Sequence, residues 1–192
     1  MGRKFDPAMR HLLFAEDRVQ RFDRYALLRS LGVGEGKALA DLGCGPGFFT
    51  LPAAELVGPT GKVFAVDVQQ EMVDDLRSRL AQQGITNVVV RRSSELEPSI
   101  PQRSVDLALL AFILHEIDQR SSFLLAAKRL LRADGRVAVL EWEKIETPVG
   151  PPLEVRVTAD EIIADAAAAG LALEEQRSIH EWHYLLTFVP RT

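Results

Sequence analysis

Two features of this 192-residue sequence can do chemistry together. One is the glycine run Asp41-Leu42-Gly43-Cys44-Gly45-Pro46-Gly47, and the other is Asp67, 20 residues past its last glycine. Glycines let a backbone turn tightly and approach a ligand closely, and a helix starting there offers N–H groups. The spacing is G-x-G-x-G rather than the dinucleotide-binding G-x-G-x-x-G, and the bulky Phe48-Phe49 follow, where a pyrophosphate would need close approach. Asp67 closes the apolar run Val63-Phe64-Ala65-Val66. A carboxylate there can accept from both hydroxyls of a ribose, each charge-assisted bond contributing about 1.5–3 kcal/mol. Its other reading is a cap for a helix starting near Gln70. The glycine run one strand earlier favours the ribose.

Of the four histidines, His115, His180 and His183 follow or flank apolar runs, as do Glu141, Trp142 and Trp182. His115 can act as a general base, or His115-Glu116 can begin or cap the next helix. His180 and His183 can contact a ligand or be solvated turn residues. Trp142 and Trp182 can cover an aromatic acceptor or sit beside a cation, or fill the core at strand ends. His180 and His183 show no recognised ligand spacing, so no metal is expected.

The elements that must position these residues alternate along the chain. Asp6-Pro7 reads as a cap and first-turn proline. Leu12, Leu13, Val19, Phe22, Ala26, Leu27 and Leu31 follow at roughly helical spacing, with a break near Asp23. Strands are expected over 38–42, 62–68, 87–91, 105–114 and 136–142, with helices over 48–57, 70–83, 120–132 and from Thr158 to Gly170. Gly84 reads as a C-terminal cap, and Thr158 with Glu161 has capping-box spacing. The final strands, 171–179 and 184–189, have almost nothing between them and must run antiparallel. The expected fold class is α/β: a Rossmann-like, seven-stranded, mostly parallel sheet with an antiparallel C-terminal hairpin strand and helices on both faces. Residues 1–33 read as an N-terminal helical arm and 34–192 as the main domain. Ligands bind such sheets outside the carboxyl ends of the strands, where the winding reverses. The 15-residue stretch 143–157, with Pro148, Gly150, Pro151 and Pro152, and the arm with Phe5, His11 and Phe14 are expected to wall that opening.

Composition narrows the class. A formal net charge of −4 counts against a nucleic-acid partner, whose affinity comes mostly from basic side chains. The longest apolar run, Leu107 to Leu114, has eight residues where a membrane span needs about 20. No signal peptide or membrane insertion is expected. The single cysteine, Cys44, fits a cytoplasmic location.

The residues Ala38 to Gly47, followed by Val66-Asp67, Ser104-Val105-Asp106-Leu107-Ala108-Leu109, the stretch before His115-Glu116 and Leu130-Leu131-Arg132-Ala133-Asp134-Gly135-Arg136, resemble class I S-adenosylmethionine-dependent methyltransferases. The resemblance covers roughly residues 37–142 well and the final hairpin in outline, and is similar to the small-molecule branch that includes quinone-biosynthesis methyltransferases. It implies S-adenosyl-L-methionine as cofactor and S-adenosyl-L-homocysteine as product. It places Asp41, Gly43, Cys44, Gly45 and Gly47 on the methionine end and sugar, Asp67 on the ribose, and Val68 and Met72 beside the adenine. Ser94 and Glu95 match the adenine amino edge, with Ser94 where the family usually has Asp. Ala111 closes the pocket.

The implied reaction is in-line methyl transfer to a small, apolar or aromatic acceptor, in which orientation can supply about 7–11 kcal/mol. His115 is then the candidate base, and Glu141, Trp142, His180, Trp182 and His183 are candidates for the acceptor pocket. Ala111-Phe112-Ile113-Leu114 is not the Asn/Asp-Pro-Pro-aromatic motif used on amino groups of nucleic acid or glutamine. One cysteine excludes thiol-dependent arsenite methylation. A nicotinamide-dependent oxidoreductase and a catalytically inactive S-adenosylmethionine-binding protein are the alternatives.

Overall fold

A computed structural model describes residues 4–14 and 22–191. Among these the strands are β1 (Ala38–Leu42), β2 (Lys62–Asp67), β3 (Val88–Arg92), β4 (Val105–Ala111), β5 (Leu131–Trp142), β6 (Leu171–His180) and β7 (His183–Pro190). They form one seven-stranded sheet in the order β3-β2-β1-β4-β5-β7-β6. Neighbours from β3 through β5 are parallel, and β7 runs antiparallel to both β5 and β6. The winding reverses between β1 and β4, so a crevice opens at the carboxyl ends of these two strands.

Among the described residues, five α-helices accompany the sheet: α1 (Arg24–Ser30), α2 (Thr50–Val57), α3 (Gln70–Gln83), α4 (Arg120–Leu130) and α5 (Ala159–Ala168). Alternation along β1 sends Ala38, Ala40 and Leu42 into one apolar cluster with Leu124 of α4 and Ile162 of α5. Leu39 joins Leu28 of α1 and Ala53 of α2 on the opposite face. Burying each large side chain stabilises the sheet by about 1.5–3 kcal/mol. Helix ends follow local chemistry. Gly84 caps α3 in the left-handed conformation, and Thr158 and Glu161 form a reciprocal capping box on α5.

Several elements depart from the local pattern. Strand β4 stops at Ala111 because Phe112 turns to φ 58°, and Leu114–Glu116 form a 3-10 turn. The Asp134-Gly135 turn sits inside β5 rather than before it: Leu131 pairs with Val105 and Arg136 with Leu107, so residues 132–135 bulge out. At the amino end, Asp6 Oδ1 accepts from Ala8 N–H at 2.9 Å, and Pro7–Phe14 is a 3-10 helix. Leu28 of α1 is fully buried, making α1 part of the core. Val19 and the His11 side chain lie outside the described residues. No helix among the described residues is long and apolar enough to cross a membrane.

Candidate functional site

The glycine run leaves β1 and hangs from the end of β2 by its own backbone. Gly43 and Cys44 N–H groups both donate to Val66 O, at 2.9 and 3.0 Å. Gly45 N–H donates to Asp67 Oδ2 and Gln69 N–H to Asp67 Oδ1, each at 2.9 Å. The carboxylate therefore ties the loop to the entry of α3. Burial raises the Asp67 pKa, and the backbone donors oppose that shift. Below the loop, buried Asp41 accepts from Thr50 Oγ1 at 2.5 Å, and burial pushes its pKa up to about 6.

Gly43 is required on two counts. Its φ is +76°, and an added Cβ would lie 2.8 Å from Ile113 Cδ1. Left-handed backbone costs a non-glycine residue about 1–2 kcal/mol before any clash. Gly43→Ala is expected to lower the unfolding midpoint by roughly 4–8 °C, which a thermal melt measures directly.

Gly43, Asp67, Val68, Ser94, Glu95 and Ile113 are among the walls of a cavity of about 30 Å3, the space of about one water. The amino-terminal segment crosses it. Lys4 Nζ donates to Glu95 Oε2 at 2.7 Å and to Glu116 O at 3.0 Å. Phe5 N–H donates to Glu116 Oε2 at 3.1 Å, and Phe5 O accepts from Gln69 Nε2 at 2.8 Å. Among the described residues, Gln69 Oε1 is buried without a hydrogen-bond partner.

Beside this cavity, His115 and Glu141 meet across β4 and β5. His115 Nδ1 faces both Glu141 oxygens at 3.0 Å. Burial draws the imidazole pKa down, but the charge and hydrogen bond of Glu141, joined by Glu116, outweigh burial and raise it above 6.5. His115-Glu116 does not cap the following helix: Gln119 holds the N-cap of α4 without a side-chain hydrogen bond.

A cluster of rings lies alongside. His183 is fully buried, with its ring centroid 4.2 Å from Trp142, 4.8 Å from Phe22 and 5.3 Å from Phe112. Trp142 also packs against the Arg156 guanidinium, 5.0 Å from the ring centroid, and under Gly150. His180 and Trp182, 5.3 Å apart, belong to the hairpin. These contacts give Trp142 and His183 a packing role.

Five of the expected residues, Gly43, Asp67, Val68, Ser94 and Glu95, thus converge on one cavity. Cys44 instead packs in a small core cluster with Leu51, Ala65, Leu76 and Leu80, so the loop offers backbone rather than a thiol. Met72 is buried, and half-buried Ala111 packs against the α1–α2 cluster, leaving Ile113 as the wall from beyond β4. Phe48 and Phe49 turn into the core, so they do not obstruct the loop's outer face. Among the described residues no group of three or more His, Cys, Asp or Glu side chains is placed to hold a metal.

Lys4, Gln69 and Arg156 carry no signal in the sequence that marks them as site residues. The stretch 143–157, read as irregular, contains one 3-10 turn (Leu153–Val155) and is organised around buried Arg156. Arg156 donates to the carbonyls of Glu143, Ile145, Val149 and Pro151 and to Thr147 Oγ1. A partner set made mostly of carbonyls leaves no sequence signature.

The sheet order and the loop–carboxylate pair define an α/β fold with a nucleotide-type crevice. The family model described as a methyltransferase domain matches residues 34–188, and the chain belongs to that family. A crystal structure of an S-adenosylmethionine-dependent methyltransferase from Aquifex aeolicus superposes with a TM-score of 0.92 at 31% identity, covering 96% of this chain and 98% of that one. The nocamycin O-methyltransferase of Saccharothrix syringae is 32% identical over 143 residues, 70% of this chain and 49% of the relative. A ubiquinone/menaquinone biosynthesis C-methyltransferase of Cupriavidus taiwanensis is 31% identical over 137 residues, 71% of this chain and 56% of the relative. The match therefore spans about half the length of these curated relatives.

Proposed function

We propose that the chain is a cytoplasmic S-adenosylmethionine-dependent methyltransferase acting on a small, apolar or aromatic acceptor. The observation that carries this is Asp67, held at the carboxyl end of β2 by the Gly45 N–H of the glycine loop and exposed to a cavity walled by Val68, Ser94 and Glu95. A carboxylate has about four lone-pair sites, and Asp67 accepts from the backbone N–H groups of Gly45 and Gln69, with Val68 N–H also favouring its charged form, so acceptor capacity remains for a ribose hydroxyl. Gln69 Oε1 is a further buried acceptor two residues on. Val68 supplies an apolar surface for a base and Glu95 an acceptor for its amino edge. These residues fit the cofactor. The cavity does not yet have its size, since small-molecule sites run to about 300–1,000 Å3. Lys4 and Phe5 must lift for the cofactor to enter.

The bound cofactor supplies a methyl group on an electron-poor sulfonium. The chain's part is to hold donor and acceptor in line and exclude water, for which the Lys4–Phe5 segment and the 143–157 loop are the walls. Net charge of −4 supports a small-molecule acceptor over nucleic acid. Calorimetric titration with S-adenosylhomocysteine and with NAD tests the reading. Saturable S-adenosylhomocysteine binding without NAD binding is expected; tight NAD binding with no response to S-adenosylhomocysteine would overturn it in favour of an oxidoreductase. A screen with methyl-labelled S-adenosylmethionine then separates an enzyme from an inactive cofactor-binding protein.

A further inference from the structure

We propose that His115 Nε2 takes a proton from the methyl acceptor, that Glu141 is the positioning residue that keeps this nitrogen available, and that the acceptor is accordingly a weak oxygen or carbon acid. The inference rests on the methyltransferase reading and adds the acceptor's chemistry to it.

Glu141, at the end of β5, is 1% exposed. Its Oε1 accepts from His115 N–H at 3.3 Å and its Oε2 from Trp142 N–H at 3.1 Å. Both oxygens also face His115 Nδ1 at 3.0 Å. A carboxylate only accepts, so Nδ1 carries the hydrogen and a neutral imidazole keeps its lone pair on Nε2. Nε2 lies 3.9 Å from Glu116 Oε1, outside hydrogen-bond range. The charged groups around the ring are Glu141 from β5, Glu116 from the same turn and Arg156 from the far end of the 143–157 loop, with Lys4 bonded to the Glu116 carbonyl.

The step balances. The acceptor's O–H or C–H proton moves to Nε2, giving an imidazolium whose charge Glu141 offsets. The electron pair left on the acceptor forms the bond to the methyl carbon, while the carbon–sulfur pair stays on sulfur as a neutral thioether. The imidazolium then releases its proton to water. Other acceptor classes have little use for this arrangement. A thioether or pyridine has no proton to lose, a neutral amine attacks before losing one, and a thiol ionises near neutral pH, with a pKa of about 8.5.

Nitrogen-15 NMR of the histidines in the full chain reads the positioning directly. The neutral form of His115 is expected to carry its proton on Nδ1 and to titrate above the usual histidine range, and Glu141→Gln is expected to lower the midpoint. An Nε2–H tautomer, or a midpoint that Glu141→Gln does not move, overturns the proposal. Labelled methyl transfer to a panel of phenols and 1,3-dicarbonyls, set against thioethers and pyridines, reads the acceptor class. Turnover is expected in the first set only. There His115→Gln should lower kcat about 100-fold or more, and Glu141→Gln about tenfold with the acid limb of its pH profile moved down. Both variants should bind S-adenosylhomocysteine within about threefold of wild type. Turnover of a thioether or pyridine, or an unchanged kcat in His115→Gln, defeats the proposal. Wild-type failure to bind S-adenosylhomocysteine sinks the methyltransferase reading itself, whereas binding with the wrong tautomer sinks only the dyad.

Discussion

Asp67→Ala is expected to weaken S-adenosylhomocysteine binding at least tenfold, a loss of about 1.4 kcal/mol or more. Two effects converge on this residue. Its carboxylate is the acceptor for two backbone N–H groups, those of Gly45 and Gln69, and so holds the glycine loop against the entry of α3. In the proposed complex it also accepts from the ribose. Calorimetry with the 2′-deoxy form of the ligand separates the two. Where Asp67 contacts the 2′-hydroxyl, wild type prefers the ribose form and the variant loses that preference. Were Asp67 only a tether for the loop, both ligands would weaken equally. Asp67→Asn is expected to be nearly as damaging, because one amide end must present donors to a backbone donor. An affinity unchanged in Asp67→Ala rejects the ribose assignment.

Arg156→Met should lower stability by about 3 kcal/mol, because it strips the hydrogen bonds by which one buried side chain organises a part-buried loop. For a chain of this size that is a midpoint shift of roughly 6–12 °C. The guanidinium makes five hydrogen bonds to the 143–157 loop. It also lies over Trp142. Methionine fills the volume but leaves the carbonyls of Glu143, Ile145 and Pro151 without the Arg156 donor, while Val149 O keeps its bond from Thr147 Oγ1. Unpaired acceptors cost about 1–3 kcal/mol each when buried, and less where the loop reaches water. Arg156→Lys is expected to restore less than half the loss, since a point ammonium cannot span partners spread around a planar fork. Amide hydrogen exchange locates the effect: amides of residues 143–157 should exchange much faster while those of β1 and β4 change little. A midpoint within about 2 °C of wild type would show that the loop does not depend on Arg156.

Residues whose consequences stay within a few positions are legible from the amino-acid sequence. The glycine run predicts a sharp turn, the mostly apolar run through 38–42 predicts β1, and the spacing of Met72, Val73, Leu76 and Leu80 predicts the face that α3 buries. Thr158 and Glu161 announce the start of α5 because the two ends of a capping box lie one helical turn apart. The same locality explains the misses. Phe112 breaks β4 through its backbone conformation, not through any break in the apolar run. Phe48 and Phe49 look obstructive in sequence, but their direction depends on packing against α1 and β1.

The candidate site divides along the same line. A mostly parallel sheet with an antiparallel hairpin and the loop–Asp67 pair follow from the chain's own pattern, because parallel strands and short connections leave few topologies. The strand order and the opening between β1 and β4 emerge from the tertiary structure. His115 and Glu141 are each legible as residues able to do chemistry, but not as partners. They are 26 positions apart and meet only because β4 and β5 lie side by side. Lys4 reaches Glu95 and Glu116 over 91 and 112 positions. Arg156 finds carbonyls that any residue could supply. Local sequence determined the fold class and the loop–carboxylate pair at the candidate site, since backbone geometry and apolar periodicity act over a few residues. Only tertiary structure decided which histidine is held by a carboxylate, what closes the cavity and what shapes the loop beside it, because those contacts exist only once distant segments share one strand edge.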